Sequence, residues 1–273
     1  MSAGQAPSVS AVSRRNPLFP LGVDYHPHDA ESAQPDEWYA GDFDADFAEF
    51  AEARLTLVRV FISWRAFEPQ VGRYSEWAVA RLRELVESAG AHRLRLVVCF
   101  FSGERHAGLL DVAWARTRDP RTDGYLMERQ AALVRHVVGE HRSDRAVFAW
   151  ELANEAFCSG FRSAEELAAW VTAMRDAVRE LDEKRPVMVG ADAETLFGAS
   201  RVDAGPALGR SEVLVAHRTN AYQAYVAEGP VLGTRSTYLD GYLLHVSSRT
   251  VPVLLDGIGP HTLDASHAEE AAL

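Results

Sequence analysis

Apolar and polar positions along the chain alternate between two periods. Residues 20–25 form a short apolar run, after which Phe43, Phe47 and Phe50 recur at helical spacing. Residues 55–62 are apolar and β-branched, as a buried strand is. Residues 75–89 return to the helical period, with Val79, Leu82, Leu85, Val86 and Ala89 on one face. A continuous apolar strand at 94–101 follows, then a helix over 125–141 with Leu126, Leu133, Val134, Val137 and Val138 inward. Residues 146–152 read as the next strand. The strongest local signature comes after it. Ser163 and Glu166 make a capping box, and Leu167, Trp170, Val171, Met174, Val178 and Leu181 form one stripe. Three more short strands fall at 186–190, 212–216 and 251–255, with a helix near 238–246 between the last two.

Near-continuous apolar strands alternating with amphipathic helices predict a parallel sheet whose outer face is covered by helices. The 273 residues suit one α/β barrel, which needs roughly 250. The expected fold is therefore α/β, a TIM-type (β/α) barrel. Seven strands are recognisable and an eighth is missing, because only residues 260–273 follow the seventh and 265–273 suit the start of a helix. The edges of strands one and seven then stay open, unless residues before Pro20 or a partner chain cover them. An open doubly wound sheet is the alternative, but no Gly-rich phosphate loop follows the first strand. Residues 1–16 are Ser/Ala-rich without an apolar core and read as a disordered leader; 17–273 read as a single domain.

Composition narrows the partners. Hydrophobic residues make up 47% of the chain, enough for a large core. The net charge is −11 and no Lys/Arg cluster offsets it, which excludes a nucleic-acid backbone as ligand and leaves uncharged ligands such as sugars. No segment approaches the ~20 apolar residues of a membrane span. With no signal peptide evident, the expected location is cytoplasmic. Cys99 and Cys158, in or just after strands, are expected to be buried free thiols, and no disulfide framework is implied.

Two segments carry the chemistry. Val147-Phe-Ala-Trp-Glu-Leu-Ala-Asn-Glu155 is an apolar strand ending in Asn154 and Glu155. Val251-Pro-Val-Leu-Leu-Asp-Gly-Ile-Gly259 is another, with Gly257 near its end. In this frame the chain resembles the retaining glycoside hydrolases built on (β/α)8 barrels, the clan that includes the cellulase-like and mannanase-like family five. The resemblance covers about residues 21–262. It implies that Glu155, after strand four, is the acid/base, and that Asn154 binds the sugar hydroxyl beside the anomeric carbon. It places the nucleophilic Glu of strand seven at position 257, where this chain has Gly. A retaining mechanism needs two carboxyl groups roughly 5–5.5 Å apart and an inverting one roughly 6.5–9.5 Å.

Arg59 lies in a strand that is otherwise apolar on both faces, so it must find a partner. One reading is a structural ion pair inside the barrel. The resemblance implies another, an Arg bonded to the nucleophile; with Gly257 in that place, Arg59 loses its expected anion. His26 and His28 share one face of an extended segment, but no third ligand accompanies them. No metal or cofactor is called for, and the resemblance implies a sugar contact for His26. Trp38, Tyr39 and Trp64 are candidate stacking platforms, with loop or core packing as the bland reading. His217 ends strand six, where the clan often has His-x-Tyr; here Thr219 holds the Tyr position and Tyr222 lies three residues further on. The long irregular stretch 219–233 is expected at the site's mouth. Asp256 is a tempting substitute nucleophile. If position 257 faces the site, however, alternation turns 256 toward the helices, unless a bulge intervenes. Glu104, Asp192 and Glu194 are further carboxylates expected at the same rim.

The sequence thus predicts a glycoside-hydrolase-like protein that acts on or binds a β-linked carbohydrate, with neither nucleic acid nor membrane as partner. Three functions stay open: a working glycosidase with an unconventional base or nucleophile, a protein that binds sugar without cleaving it, and a barrel repurposed for acid/base chemistry on a non-sugar substrate.

Overall fold

The computed structural model describes residues 21–25, 41–102, 112–115, 117–154, 161–192, 213–217 and 253–256. Seven strands form one sheet: β1 (Gly22–Asp24), β2 (Leu57–Phe61), β3 (Arg95–Ser102), β4 (Val147–Asn154), β5 (Val187–Asp192), β6 (Val213–His217) and β7 (Val253–Asp256). They pair in sequence order, and every pairing is parallel. Parallel neighbours need crossovers, and five α-helices are described between them: α1 (Phe43–Glu52), α2 (Trp64–Phe67), α3 (Glu76–Ala91), α4 (Gly124–His141) and α5 (Ala164–Arg179). The seven expected strands are present, each within about two residues of its expected place. The helix expected near 238–246, residues 1–16 and residues 260–273 lie outside the described residues.

Each described helix starts on a Ser or Asp whose side chain accepts the backbone N–H three residues on: Asp42, Ser63, Ser75, Asp123 and Ser163. At Ser163 the capping box is offset by one residue. Ser163 Oγ accepts from Glu166 N, while the Glu166 carboxylate accepts from Arg162 N, the residue before the cap. Helices α1 and α3 both end in a left-handed Arg, Arg54 and Arg93, each with φ of 61°. The following Leu55 and Leu94 donate back to Phe50 and Ala89 carbonyls, so both chains turn into the next strand in the same way.

The core has two layers. The larger one lies between the sheet's outer face and the helices. Val58, Val60, Leu96, Val98, Trp150, Leu152, Val187 and Val189 pack there against helix residues such as Leu85, Val134 and Val171. The smaller one is on the inner face, where Leu57, Val97, Ala149 and Met188 cluster with half-buried Phe148. Phe148 is the extra residue of a bulge, since Leu96 pairs with Val147 but Val97 pairs with Ala149. Strand β1 approaches β2 so closely that a Cβ on Gly22 would lie 2.6 Å from the Leu57 carbonyl oxygen. Only glycine fits there.

Candidate active site

Alternation along the strands puts charge inside this barrel, at the carboxyl side of the small apolar layer. Asp24 of β1 pairs laterally with Arg59 of β2. Cys99 of β3 pairs with Glu151 of β4, and Glu151 pairs with Met188 of β5. The Arg59 guanidinium grips Glu151 through two bonds, Nε to Oε2 at 2.6 Å and Nη2 to Oε1 at 2.7 Å. Its Nη1 donates to Asp24 Oδ2 at 3.2 Å, and Nη2 also donates to Asn154 Oδ1 at 2.9 Å. The cation lies 4.8 Å from the Phe61 ring centroid. One guanidinium thereby ties together β1, β2 and β4.

Burial divides the acids of this network. The Glu151 side chain is wholly inaccessible and that of Arg59 is 5% exposed, whereas Asp24 is 32% exposed. A forked Arg–carboxylate pair at these lengths is the strong form of the interaction and fixes orientation as well as charge. Arg59 is therefore not a cation without its anion. The reading that tied it to the missing carboxylate at 257 is corrected: Glu151, inside the same motif as Glu155, holds it. Nearby, burial pushes the Cys99 thiol well above its usual range, and the Glu151 charge adds to this. Cys99 is a buried free thiol, as expected.

Asn154 is 4% exposed at the last position of β4. Held by Arg59, it marks where the strand delivers its carboxyl end into the barrel mouth. Glu155 follows it directly in the chain and lies outside the described residues. So do His26, Tyr222, Thr219, Gly257, Glu104, Glu194, Cys158, Trp38 and Tyr39. His217 ends β6, in register with Asp192 of β5 on one side and Asp256 of β7 on the other.

Trp64 is corrected as well. It opens α2 with no exposed surface, so it offers no face to a sugar. Its indole N–H donates to Glu68 Oε2 at 2.8 Å, and its ring meets Trp114 and Phe101 edge to face. Glu68 is itself fully buried and also accepts from Gly72 N at 2.6 Å and from Arg129 Nε at 2.8 Å. The Glu68 carbonyl accepts from Trp114 Nε1. This hub staples the segment after β2 to α4. Sequence reading missed Asp24, Glu151 and Glu68. A signal existed for all three: each is an acid next to, or inside, an otherwise apolar stretch.

The arrangement defines a class: a parallel (β/α) barrel with an anchored Asn, followed by Glu, at the carboxyl end of its fourth strand. The cellulase (glycosyl hydrolase family 5) profile matches residues 23–222. The chain belongs to glycosyl hydrolase family 5. Over 175 residues it is 26% identical to a putative mannan endo-1,4-beta-mannosidase 5 of Oryza sativa subsp. japonica, matching 56% of this chain and 35% of that protein. The chain spans about a third of the length of the curated relatives it matches. Among solved structures, exo-beta-1,4-mannosidase Op5Man5 from Opitutaceae bacterium strain TAV5 superposes with a TM-score of 0.76 at 23% identity, covering 92% of this chain and 47% of that one. A Streptomyces cattleya GH5_18 variant in complex with Manb1-4GlcNAc gives 0.75 at 20% identity, covering 92% and 65%. Among the described residues no helix is long and apolar enough to cross a membrane.

Proposed function

We propose that the protein takes β-1,4-linked mannosides at the carboxyl-end mouth of its barrel, with Glu155 as the proton donor to the leaving oxygen. The observation that carries this is Asn154, fixed in the barrel interior by Arg59 at the end of β4, one residue before Glu155. A Glu in that place meets the need of glycoside hydrolysis for an acid beside the scissile bond. The substrate class follows from the relatives, whose names specify a β-1,4-mannosidic bond in both an endo- and an exo-acting protein.

The test is calorimetric titration with β-1,4-mannotriose and cellotriose, paired with hydrolysis of the same sugars. Mannotriose should bind in preference. Glu155→Gln should cut turnover at least 10²-fold and leave affinity within about tenfold, or ~1.4 kcal/mol. A preference for cellotriose refutes the substrate class, and full turnover by Glu155→Gln refutes the acid. A second reading, binding without cleavage, is favoured by Gly257 in the nucleophile's place. Tight mannotriose binding by a chain that never cleaves it would establish that reading.

A further inference from the structure

The interior network holds one acid more than its cation needs. Arg59 is matched by Glu151, whose two oxygens take Nε and Nη2 at 2.6 and 2.7 Å. Asp24 meets the same guanidinium through Nη1, at 3.4 Å from Oδ1 and 3.2 Å from Oδ2. Among the described residues Arg59 is its one donor. Stability calls for a single counter-ion here, since each further charge taken from water carries its own desolvation cost. Asp24 is the surplus carboxylate, and it is the acid of this network that keeps contact with solvent. Its side chain is 32% exposed, against none for Glu151.

The fold fixes the side on which that solvent lies. Asp24 is the last residue of β1 and pairs laterally with Arg59 of β2. Its neighbours on the strand, Val23 and Tyr25, pack in the outer layer. Tyr25 donates to Asp46 of α1 at 2.5 Å and meets Phe47 and Phe50 edge to face. Alternation therefore turns Asp24 inward. It stands two positions beyond Gly22, whose partner Leu57 belongs to the inner apolar layer. Its place at the carboxyl end of the strand is on the rim that carries the site in barrels of this kind.

We propose that Asp24 is a sugar-binding residue, whose carboxylate accepts hydroxyl hydrogens of the mannoside held in the barrel mouth. This rests on the reading of the protein as one that takes β-1,4-linked mannosides, and it holds whether or not the sugar is cleaved.

An ionised carboxylate only accepts, and it has about four lone-pair sites. One nitrogen shared between two oxygens at 3.2 and 3.4 Å leaves most of that capacity for hydroxyl donors. A neutral sugar brings O–H donors without bringing charge, and a bond from O–H to a charged oxygen is of the short, strong kind. Arg59 supplies the fixing. It holds Asp24 on one nitrogen and Asn154 Oδ1 on another, at 2.9 Å. One cation thus sets a carboxylate from β1 and an amide from β4 in a single frame. A sugar that carries its own carboxylate, such as a mannuronate, is repelled by the surplus anion.

Calorimetric titration of the full chain with mannotriose reads the assignment. Asp24→Asn keeps the shape and removes the charge, and should weaken binding about 10- to 100-fold, the size of a hydrogen bond to a charged group. The melting temperature should stay near that of the parent, because Glu151 keeps both its bonds to Arg59. Asp24→Ser should show the same loss and serves if the first variant folds poorly. A residue that only steadies Arg59 would also lower affinity when changed. Parent and Asp24→Asn are therefore both titrated, by NMR, with methyl β-mannoside and its monodeoxy forms. Direct contact predicts that removing one particular hydroxyl weakens binding to the parent and leaves binding to the variant unchanged. Equal losses in parent and variant for every deoxy sugar overturn the proposal. So does an Asp24→Asn that binds mannotriose within about threefold of the parent. A parent that binds no mannoside overturns the mannoside reading and this assignment together, whereas the other two outcomes leave that reading standing.

Discussion

Arg59→Met removes the cation from a network in which only one acid can reach water. Glu151 has no exposed surface and loses both arms of its fork, while Asp24, about a third exposed, can hydrate. Asn154 loses the bond from Arg59 Nη2. Breaking a buried pair by removing one partner costs about 3–5 kcal/mol. At about 2–4 °C per kcal/mol for a domain of this size, the melting temperature should fall on the order of 10 °C. Urea unfolding followed by tryptophan fluorescence measures the free energy directly. Asp24→Asn, by contrast, should cost about 1 kcal/mol or less, as a part-exposed pair does. Combining Arg59→Met with Glu151→Leu removes both buried charges, so the double variant should be more stable than the sum of the two single losses by about 2 kcal/mol or more. An Arg59→Met loss below about 1 kcal/mol, or strict additivity in the cycle, would refute the account of Arg59 and Glu151 as a desolvated pair.

Two further outcomes follow from other buried contacts. Trp64→Phe deletes the indole N–H given to Glu68 and should destabilise by about 1–2 kcal/mol, with mannotriose affinity unchanged; an affinity loss beyond tenfold would restore Trp64 as a sugar contact. Asp182 carries an acid-sensitive share of stability. Burial pushes its carboxyl up, but donation from Trp150 Nε1, Arg185 and the Lys184 and Arg185 amides outweighs that and holds it at about 2, against an ordinary 3.8. A lowered carboxyl stabilises the fold above its unfolded value and loses that contribution as pH falls through the folded one. The gap between 3.8 and about 2 is worth about 2 kcal/mol for this side chain, which is 4% exposed. The stability advantage of the parent over Asp182→Asn should therefore shrink by about that amount between pH 5 and pH 2. An advantage that does not change across this range would show that the carboxylate's partners do not set its titration.

What was legible in the sequence is what short-range periodicity encodes. The alternation of apolar runs with helical stripes gave the strand order, and Ser75 and Ser163 marked helix starts that the backbone confirms. What was not legible depends on separations that no window spans. Glu151 lies only four residues before Glu155, yet its partner is 92 residues away on β2. Trp64 sits at the end of a strand, as a sugar platform would, and is buried because Arg129, 61 residues beyond Glu68, closes the hub beneath it.

Register bears on why charge lies inside this barrel. An apolar interior of Val and Leu could slide by two residues at little cost, but Arg59 accepts one alignment of three strands. A one-residue slip of β2 would turn Val58 and Val60 inward and draw Arg59 away from Glu151, which has no exposed surface. The network therefore fixes β1, β2 and β4 against one another and sets where Asn154, and the chain after it, emerge.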